Sequence, residues 1–306
     1  MSHFDLCVAW NWEYDREFIH LLESACAGIG LTFFSVTPEN LDSTLAGLSS
    51  GDITFTAFLD RASESDPRYQ PLVDWARQFC IFRINPQELT IWSADKATMH
   101  LEFVSRGLET PYTILLSPCN EQPDLPPIDL SPLGGRFAIK PASLGGGEGV
   151  VLEATSLEQV LSVRWQYPHE KYLLQAHITP QFLDGRPAWF RVLVCGGAVH
   201  ACWWNQYTHV YTPLRAEQRF RFGLHGLYEV ARRIAQVCRL DLFSTEIALT
   251  EDGSSILPGK IVVVDYVNDP VDLRLQSKAA DGVPDDIVEN IARRLARLAE
   301  SHHAAL

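Results

Sequence analysis

The sequence predicts an α/β protein: a small parallel sheet at the front, with mixed strands and helices of α+β character behind it. Strand and helix patterns alternate over the first 85 residues or so, as parallel α/β units do. A stretch rich in Pro, Asp and Gly (117–135) interrupts the chain. Beyond it the strand patterns follow one another in pairs, the signature of antiparallel hairpins.

Element by element, residues 5–10 read as the first strand. Residues 15–28 read as a helix, with Phe18, Ile19, Leu22 and Cys26 at helical spacing and Gly28 and Gly30 as its stop. Residues 31–36 form the second strand. Thr37-Pro38 is expected to open the next helix, with Thr37 as N-cap and Pro38 at the first helical position. Residues 53–58 read as a strand and 70–80 as a helix. Ser93 or Asp95 would cap a helix running to about Arg106, stopped by Gly107 and Pro111. FAIKPASLGGGEGVVLEA (137–154) reads as strand, glycine loop, strand, followed by a short helix over 156–164 and a strand over 172–178. WFRVLVCGGAVHACWW (189–204) is a hairpin turning at Gly196-Gly197. Residues 223–238 carry Leu224, Leu227, Val230, Ile234 and Val237 on one helical face. STEIALTEDG and SSILPGKIVVVDYVNDP form a further strand pair, and 285–300 is the last helix. These patterns divide the chain into 1–88 (front α/β domain), 89–125 (helix and linker), 126–178 (small lobe with the glycine loop) and 179–306 (large lobe).

Composition narrows the function. Among 306 residues, 25 Lys and Arg face 38 Asp and Glu, a net charge of -13. Such a chain lacks the cationic face that nucleic acid or an anionic membrane demands. No apolar run approaches the roughly 18 residues of a membrane span. The opening MSHFDLCVAWNWEYD has no basic-then-apolar secretory pattern. The seven cysteines show no CxxC and read as reduced thiols of a cytoplasmic protein.

Only five basic residues are lysines: Lys96, Lys140, Lys171, Lys260 and Lys278. Lys140 stands just ahead of Gly145-Gly146-Gly147-Glu148-Gly149. Glycines let backbone N–H groups turn toward an anion with no Cβ in the way. The loop is no P-loop, lacking GK[ST] and a following helix, and no dinucleotide fingerprint, because VVLEA after it is a strand pattern. It reads as a strand–loop–strand lid, or else as a plain hairpin tip. Arg191 lies mid-strand in WFRVLV, where a buried guanidinium needs a phosphate, a carboxylate or a structural ion pair. Glu246 and Asp265 are acids inside apolar strands.

The order Asp95-Lys96, Lys140, glycine lid, Gln175, Arg191, Glu246, Asp265, Asn268 resembles the ATP-grasp superfamily over roughly residues 89–275. The front α/β part resembles the domain that precedes it there. The resemblance implies ATP gripped by Lys96 and Lys140 and covered by Gly145 to Gly149, with Glu148 in the lid. It implies a hinge at Gln175, Ala176, His177 and Ile178 that reads adenine, with the Gln175 amide as an added contact. Arg191 and Lys140 would be catalytic, and Mg²⁺ would sit on Glu246, Asp265 and Asn268, unless each acid is instead paired with an arginine. Three departures stand out. The family's acid–x–Asn is here Asp265-Tyr266-Val267-Asn268, so strict strand alternation pairs Asp265 with Asp269, and only a bulge restores Asn268. Ala176 and Trp189 stand at or near positions where the family often has acids.

The implied activity is a ligase that activates a small-molecule carboxylate as an acyl phosphate for attack by an amine, releasing ADP and phosphate, with a homodimer as a possible assembly. Arg215, Arg219, Arg221, Arg274 and Lys278 are candidates for meeting an acidic substrate. Two other readings stay open: a kinase acting on a hydroxyl with Asp269 or Asp272 as base, and a non-catalytic nucleotide-binding module.

Overall fold

The computed structural model describes residues 1–251 and 259–303. The part of the expected strand pair that falls on 252–258 lies outside the described residues.

Four strands, β1 (Ser2–Trp10), β2 (Phe33–Val36), β3 (Ile53–Arg61) and β4 (Phe82–Ile84), form a parallel sheet in the order β2-β1-β3-β4. Helices α1 (Arg16–Gly28), α2 (Leu41–Ser50) and α3 (Gln70–Phe79) make the crossovers. The four apolar residues predicted for α1 are all buried, because helical spacing puts them on one face. The expected opening of α2 at Thr37-Pro38 is corrected. The Asn40 side chain accepts from the Thr37 N–H at 2.7 Å and donates to the Ser35 carbonyl at 2.9 Å, closing a turn, so the helix starts only at Leu41.

Two helices follow, α4 (Gln87–Ala94) and α5 (Lys96–Ser105). The sequence reading missed α4. Ser93 lies inside it, and Asp95 is the cap of α5, accepting from the Thr98 N–H at 2.8 Å. The second sheet contains β5 (Thr113–Leu116), β6 (Phe137–Pro141), β7 (Val151–Ala154) and β8 (Tyr172–Ala176) in the order β5-β8-β6-β7, backed by α6 (Leu157–Gln166). Strand β5, also unread in the sequence, precedes the Pro-rich stretch and pairs with β8. That stretch packs Leu125, Ile128, Leu130 and Leu133 onto the same core. The buried Arg164 of α6 clips it down by donating to the carbonyls of Ser117 and Gln122.

After a short hairpin, β9 (Phe182–Leu183) and β10 (Arg186–Pro187), the third sheet is antiparallel. It comprises β11 (Trp189–Cys195), β12 (Ala198–Trp204), β13 (Tyr211–Pro213), β14 (Leu242–Leu249) and β15 (Ile261–Asn268), in the order β13-β12-β11-β14-β15. Gly196 and Gly197 both have positive φ (50° and 79°), which the tight β11–β12 turn requires. Helices α7 (Ala216–Arg221) and α8 (His225–Cys238) come between β13 and β14, and α9 (Asp285–His303) ends the described chain. One face of the third sheet packs on α5 and α8. The other shares a core with α1, α9 and the first sheet, including Leu193, Cys195 and Leu242. No helix among the described residues is long and apolar enough to cross a membrane. All seven cysteines are free thiols, six of them buried.

Candidate active site

The third sheet lays three charged residues in one row. Arg191 of β11 is in register with Glu246 of β14, and Glu246 with Asp265 of β15. Residues in register on antiparallel neighbours point the same way, so the row projects from one face. Arg191 Nη1 donates to Glu246 Oε1 at 2.5 Å and Arg191 Nε to Ser244 Oγ at 3.2 Å, while the guanidinium lies 5.5 Å from the Trp204 ring centroid. The second Glu246 oxygen accepts from the Trp189 indole N–H at 3.0 Å. The arginine pairing open to Glu246 is therefore present, and Trp189, at or near a position where the resemblance often puts an acid, anchors Glu246. Both charges of the Arg191–Glu246 pair are about 15% exposed.

Ser244 pairs with Asn268 and Glu246 with Asp265, so β15 carries one residue more than β14 across this interval. That extra residue is a β-bulge. It returns Asn268 to the side of Asp265 in spite of the sequence spacing. The Asn268 amide nitrogen lies 3.3 Å from the Ser244 carbonyl. Asp269 is turned away instead, accepting from Asn85 Nδ2 at 2.7 Å. Its burial pushes its pKa up to about 7, against the opposing pull of Asn85 and Arg61. Burial also raises the pKa of Asp265, but Lys140, Lys96, Arg191 and the Asn268 amide outweigh it and hold the carboxyl below the usual range. Among the described residues no three His, Cys, Asp or Glu side chains are grouped to hold a metal. The candidate here has two carboxylates and an amide, oxygen donors that suit Mg²⁺.

Above the row stand the two lysines. Lys140, at the end of β6, donates to Gln175 Oε1 at 2.7 Å and to the Val264 carbonyl at 3.3 Å. Burial lowers its pKa while Asp265 and Glu246 raise it, and burial prevails. Lys96, the first residue of α5, donates through Nζ to the Leu144 carbonyl at 2.7 Å, and its N–H donates to the Ala142 carbonyl at 2.9 Å. The start of α5 is thus stitched to the start of the glycine loop.

The loop makes two successive turns, Glu148 N–H to Gly145 O and Val150 N–H to Gly147 O, with positive φ at Gly146, Gly147 and Gly149. Nothing lies within 4 Å of a Cβ added at Gly145, Gly146 or Gly147, whereas at Gly149 it would meet Pro141 at 2.8 Å. Glu148 accepts from the Tyr167 hydroxyl at 3.3 Å.

At the hinge, the expected free Gln175 amide is corrected. Gln175 is buried, its oxygen on Lys140 and its nitrogen 3.1 Å from the Tyr266 hydroxyl. β8 pairs with β5 and β6, which orients the side chain inward. The Ala176 N–H donates to the Tyr112 carbonyl. His177 contacts the Leu152 carbonyl of β7 at 2.7 Å, joining hinge to lid, and Ile178 packs beside Trp189. The basic residues that are candidates for an acidic substrate are engaged by neighbours or exposed. Arg274 is held by Asp272 and Asp281, and Arg221 by Asp184. Arg219 lies over the Tyr228 ring, and Arg215 and Lys278 are exposed.

These lobes define the class: the chain has the ATP-grasp fold. A RimK domain ATP-grasp protein from Sphaerobacter thermophilus superposes with a TM-score of 0.59 at 20% identity, covering 94% of this chain and 99% of its own. The macrocyclase MdnC from Microcystis aeruginosa, bound with its precursor peptide MdnA, gives 0.63 at 10% identity over 96% and 99%. D-alanine–D-alanine ligase from Bacillus anthracis, complexed with ATP, gives 0.60 at 12% identity over 98% and 99%. No family model matches the sequence, and no curated protein matches it.

Proposed function

We propose that the protein is an ATP-dependent ligase that joins a carboxylate to an amine through an acyl phosphate, releasing ADP and phosphate. The observation that carries this is the row Arg191–Glu246–Asp265 with Lys140 and Lys96 acting on the Asp265 carboxyl, Lys96 being tied to the start of the glycine loop, on an ATP-grasp fold. The structural likeness to D-alanine–D-alanine ligase and to a macrocyclase supports the ligase class. Lys96 and Lys140 would hold phosphate oxygens, their compact ammonium groups following the charge as it moves. The open Gly145–Gly147 backbone accommodates close approach of a phosphate and, closed, excludes water. With Gln175 turned inward, reading of the adenine edge falls to the backbone of His177 and Ile178. Glu246, Asp265 and Asn268 fit Mg²⁺ by donor type, and the ion would neutralise charge between phosphates. Arg191, fixed by Glu246 and Ser244, keeps Nη2 for the carboxylate or the developing oxyanion. A cytoplasmic setting fits the seven free thiols.

The kinase reading needs an available base. Asp269 is bonded to Asn85 and Asp272 to Arg274, which favours the ligase. The test is to supply Mg-ATP, candidate carboxylic acids and hydroxylamine. A ligase yields hydroxamate with ADP and phosphate. AMP with pyrophosphate, or a stable phosphate ester, would overturn the proposal.

A further inference from the structure

A buried chain of side chains ends on Lys140, and two of its members, His100 and Tyr266, have no role toward the nucleotide, the metal or the carboxylate in the site described above. His100 of α5 lies 2.7 Å from the Tyr266 hydroxyl through Nδ1. The Tyr266 oxygen is 3.1 Å from Gln175 Nε2, and Gln175 Oε1 is 2.7 Å from Lys140 Nζ. The chain crosses α5, β15, β8 and β6. His100, Tyr266 and Gln175 are all buried.

The directions of the first two bonds follow from Lys140. An ammonium only donates, so Gln175 presents its oxygen to Lys140 and its NH₂ to Tyr266. Tyr266 then accepts from Gln175, and its one proton goes to His100 Nδ1 or to the Thr113 hydroxyl, which also bonds it. Burial disfavours charge on His100. Reversing the Gln175 amide would set NH₂ against ammonium, so Lys140 fixes which way round the amide lies, and Tyr266 holds the Gln175 side chain in place through its NH₂.

We infer that His100, Tyr266 and Gln175 are positioning residues that fix the Lys140 ammonium for the nucleotide and tie the small lobe to the strand carrying Asp265. This rests on the ligase reading only in taking Lys140 to meet the nucleotide. The ring of Tyr266 also packs on Phe103 at 5.3 Å, so Tyr266→Phe keeps the packing and deletes only the hydroxyl.

The test is a double-mutant cycle read as the calorimetric Kd for a magnesium complex of a non-hydrolysable ATP analogue, with melting temperature as the fold control. Lys140→Met should weaken binding strongly. Tyr266→Phe alone should weaken it about five- to tenfold, the scale of a lost hydrogen bond in a charge-linked chain. In the Lys140→Met background, Tyr266→Phe should change nothing, because the group it acts through is gone. An equal loss in both backgrounds, or no loss in either, overturns the positioning role. If Lys140→Met leaves Kd unchanged while Tyr266→Phe raises it, the inference also fails, since Tyr266 then acts by another route. If Tyr266→Phe does not fold, Gln175→Met carries the same cycle. Unchanged Kd in Lys140→Met with hydroxamate still formed removes Lys140 from the nucleotide site but leaves the ligase chemistry standing. Coupling lost with no hydroxamate refutes both.

Discussion

The floor of the candidate site and the glycine lid over it are built in opposite ways. On the floor, the charged groups have protein partners before any ligand arrives: Arg191 on Glu246 and Ser244, Glu246 on Trp189, Asp265 on the Asn268 amide, and Lys140 on Gln175. In the lid, three successive glycines meet nothing within 4 Å even of an added Cβ, and the side-chain bonds that hold the loop lie toward its margins, among them Lys96 to Leu144, Glu170 to the Ser143 N–H and Tyr167 to Glu148. Transition-state charge is stabilised best by dipoles and ions that need no reorganisation, whereas a lid has to admit and release its nucleotide. One site therefore needs both a rigid and a loosely attached half.

The largest effect is expected from breaking the floor. Glu246→Ala takes away the carboxylate that the Arg191 guanidinium and the Trp189 N–H share, leaving Ser244 beside Arg191 and the indole N–H unpaired inside the sheet. Removing one partner of a buried pair costs about 3–5 kcal/mol. A clear fall in melting temperature should accompany loss of turnover, and any residual activity should need more Mg²⁺. An unchanged melting temperature would show that the floor is no more rigid than the lid.

The lid sharpens the comparison at its one tight point. Gly149→Ala forces a Cβ against Pro141 at positive φ (67°) and should cost about 1–3 kcal/mol while slowing turnover. Gly145→Ala, in open space, should stay within about 0.5 kcal/mol of wild type in denaturant unfolding. Equal losses for the two variants would mean that the loop is held along its whole length.

A further effect is a pH dependence at the end of the floor. The folded pKa of Asp269 is pushed up to about 7 from the 3.8 of a free side chain. The native state then holds the proton more tightly than the unfolded chain, so this residue's contribution to stability falls as pH rises from about 4 to about 7. Asp265 is shifted the other way, so its contribution is present above the ordinary carboxylate range and lost as acid protonates it. Asp269→Asn keeps the oxygen that Asn85 donates to, and it should flatten the decline between pH 4 and 7 in thermal melts. A decline as steep as in wild type would remove Asp269 as its source.

Much of this could be read from the chain alone, because the signals are local. Apolar spacing marks α1 and α8, paired glycines mark the β11–β12 turn, and an Asp before a helix pattern marks the start of α5. The cations, the glycine turn and the acids in apolar strands were each visible as residue types in unusual settings. Only the tertiary structure decided what they touch. Strand β5 is four residues whose identity as a strand comes from pairing with β8 across nearly sixty residues of chain. The place of Asn268 rests on a bulge, which exists only relative to the neighbouring strand. Trp189 as the anchor of Glu246, Gln175 turned inward and Tyr266 behind it all depend on contacts between residues far apart in sequence. Periodicity reports which way a side chain faces its own element. The partner it meets is set by how the elements pack, and a hydrogen bond a few ångströms long depends on both.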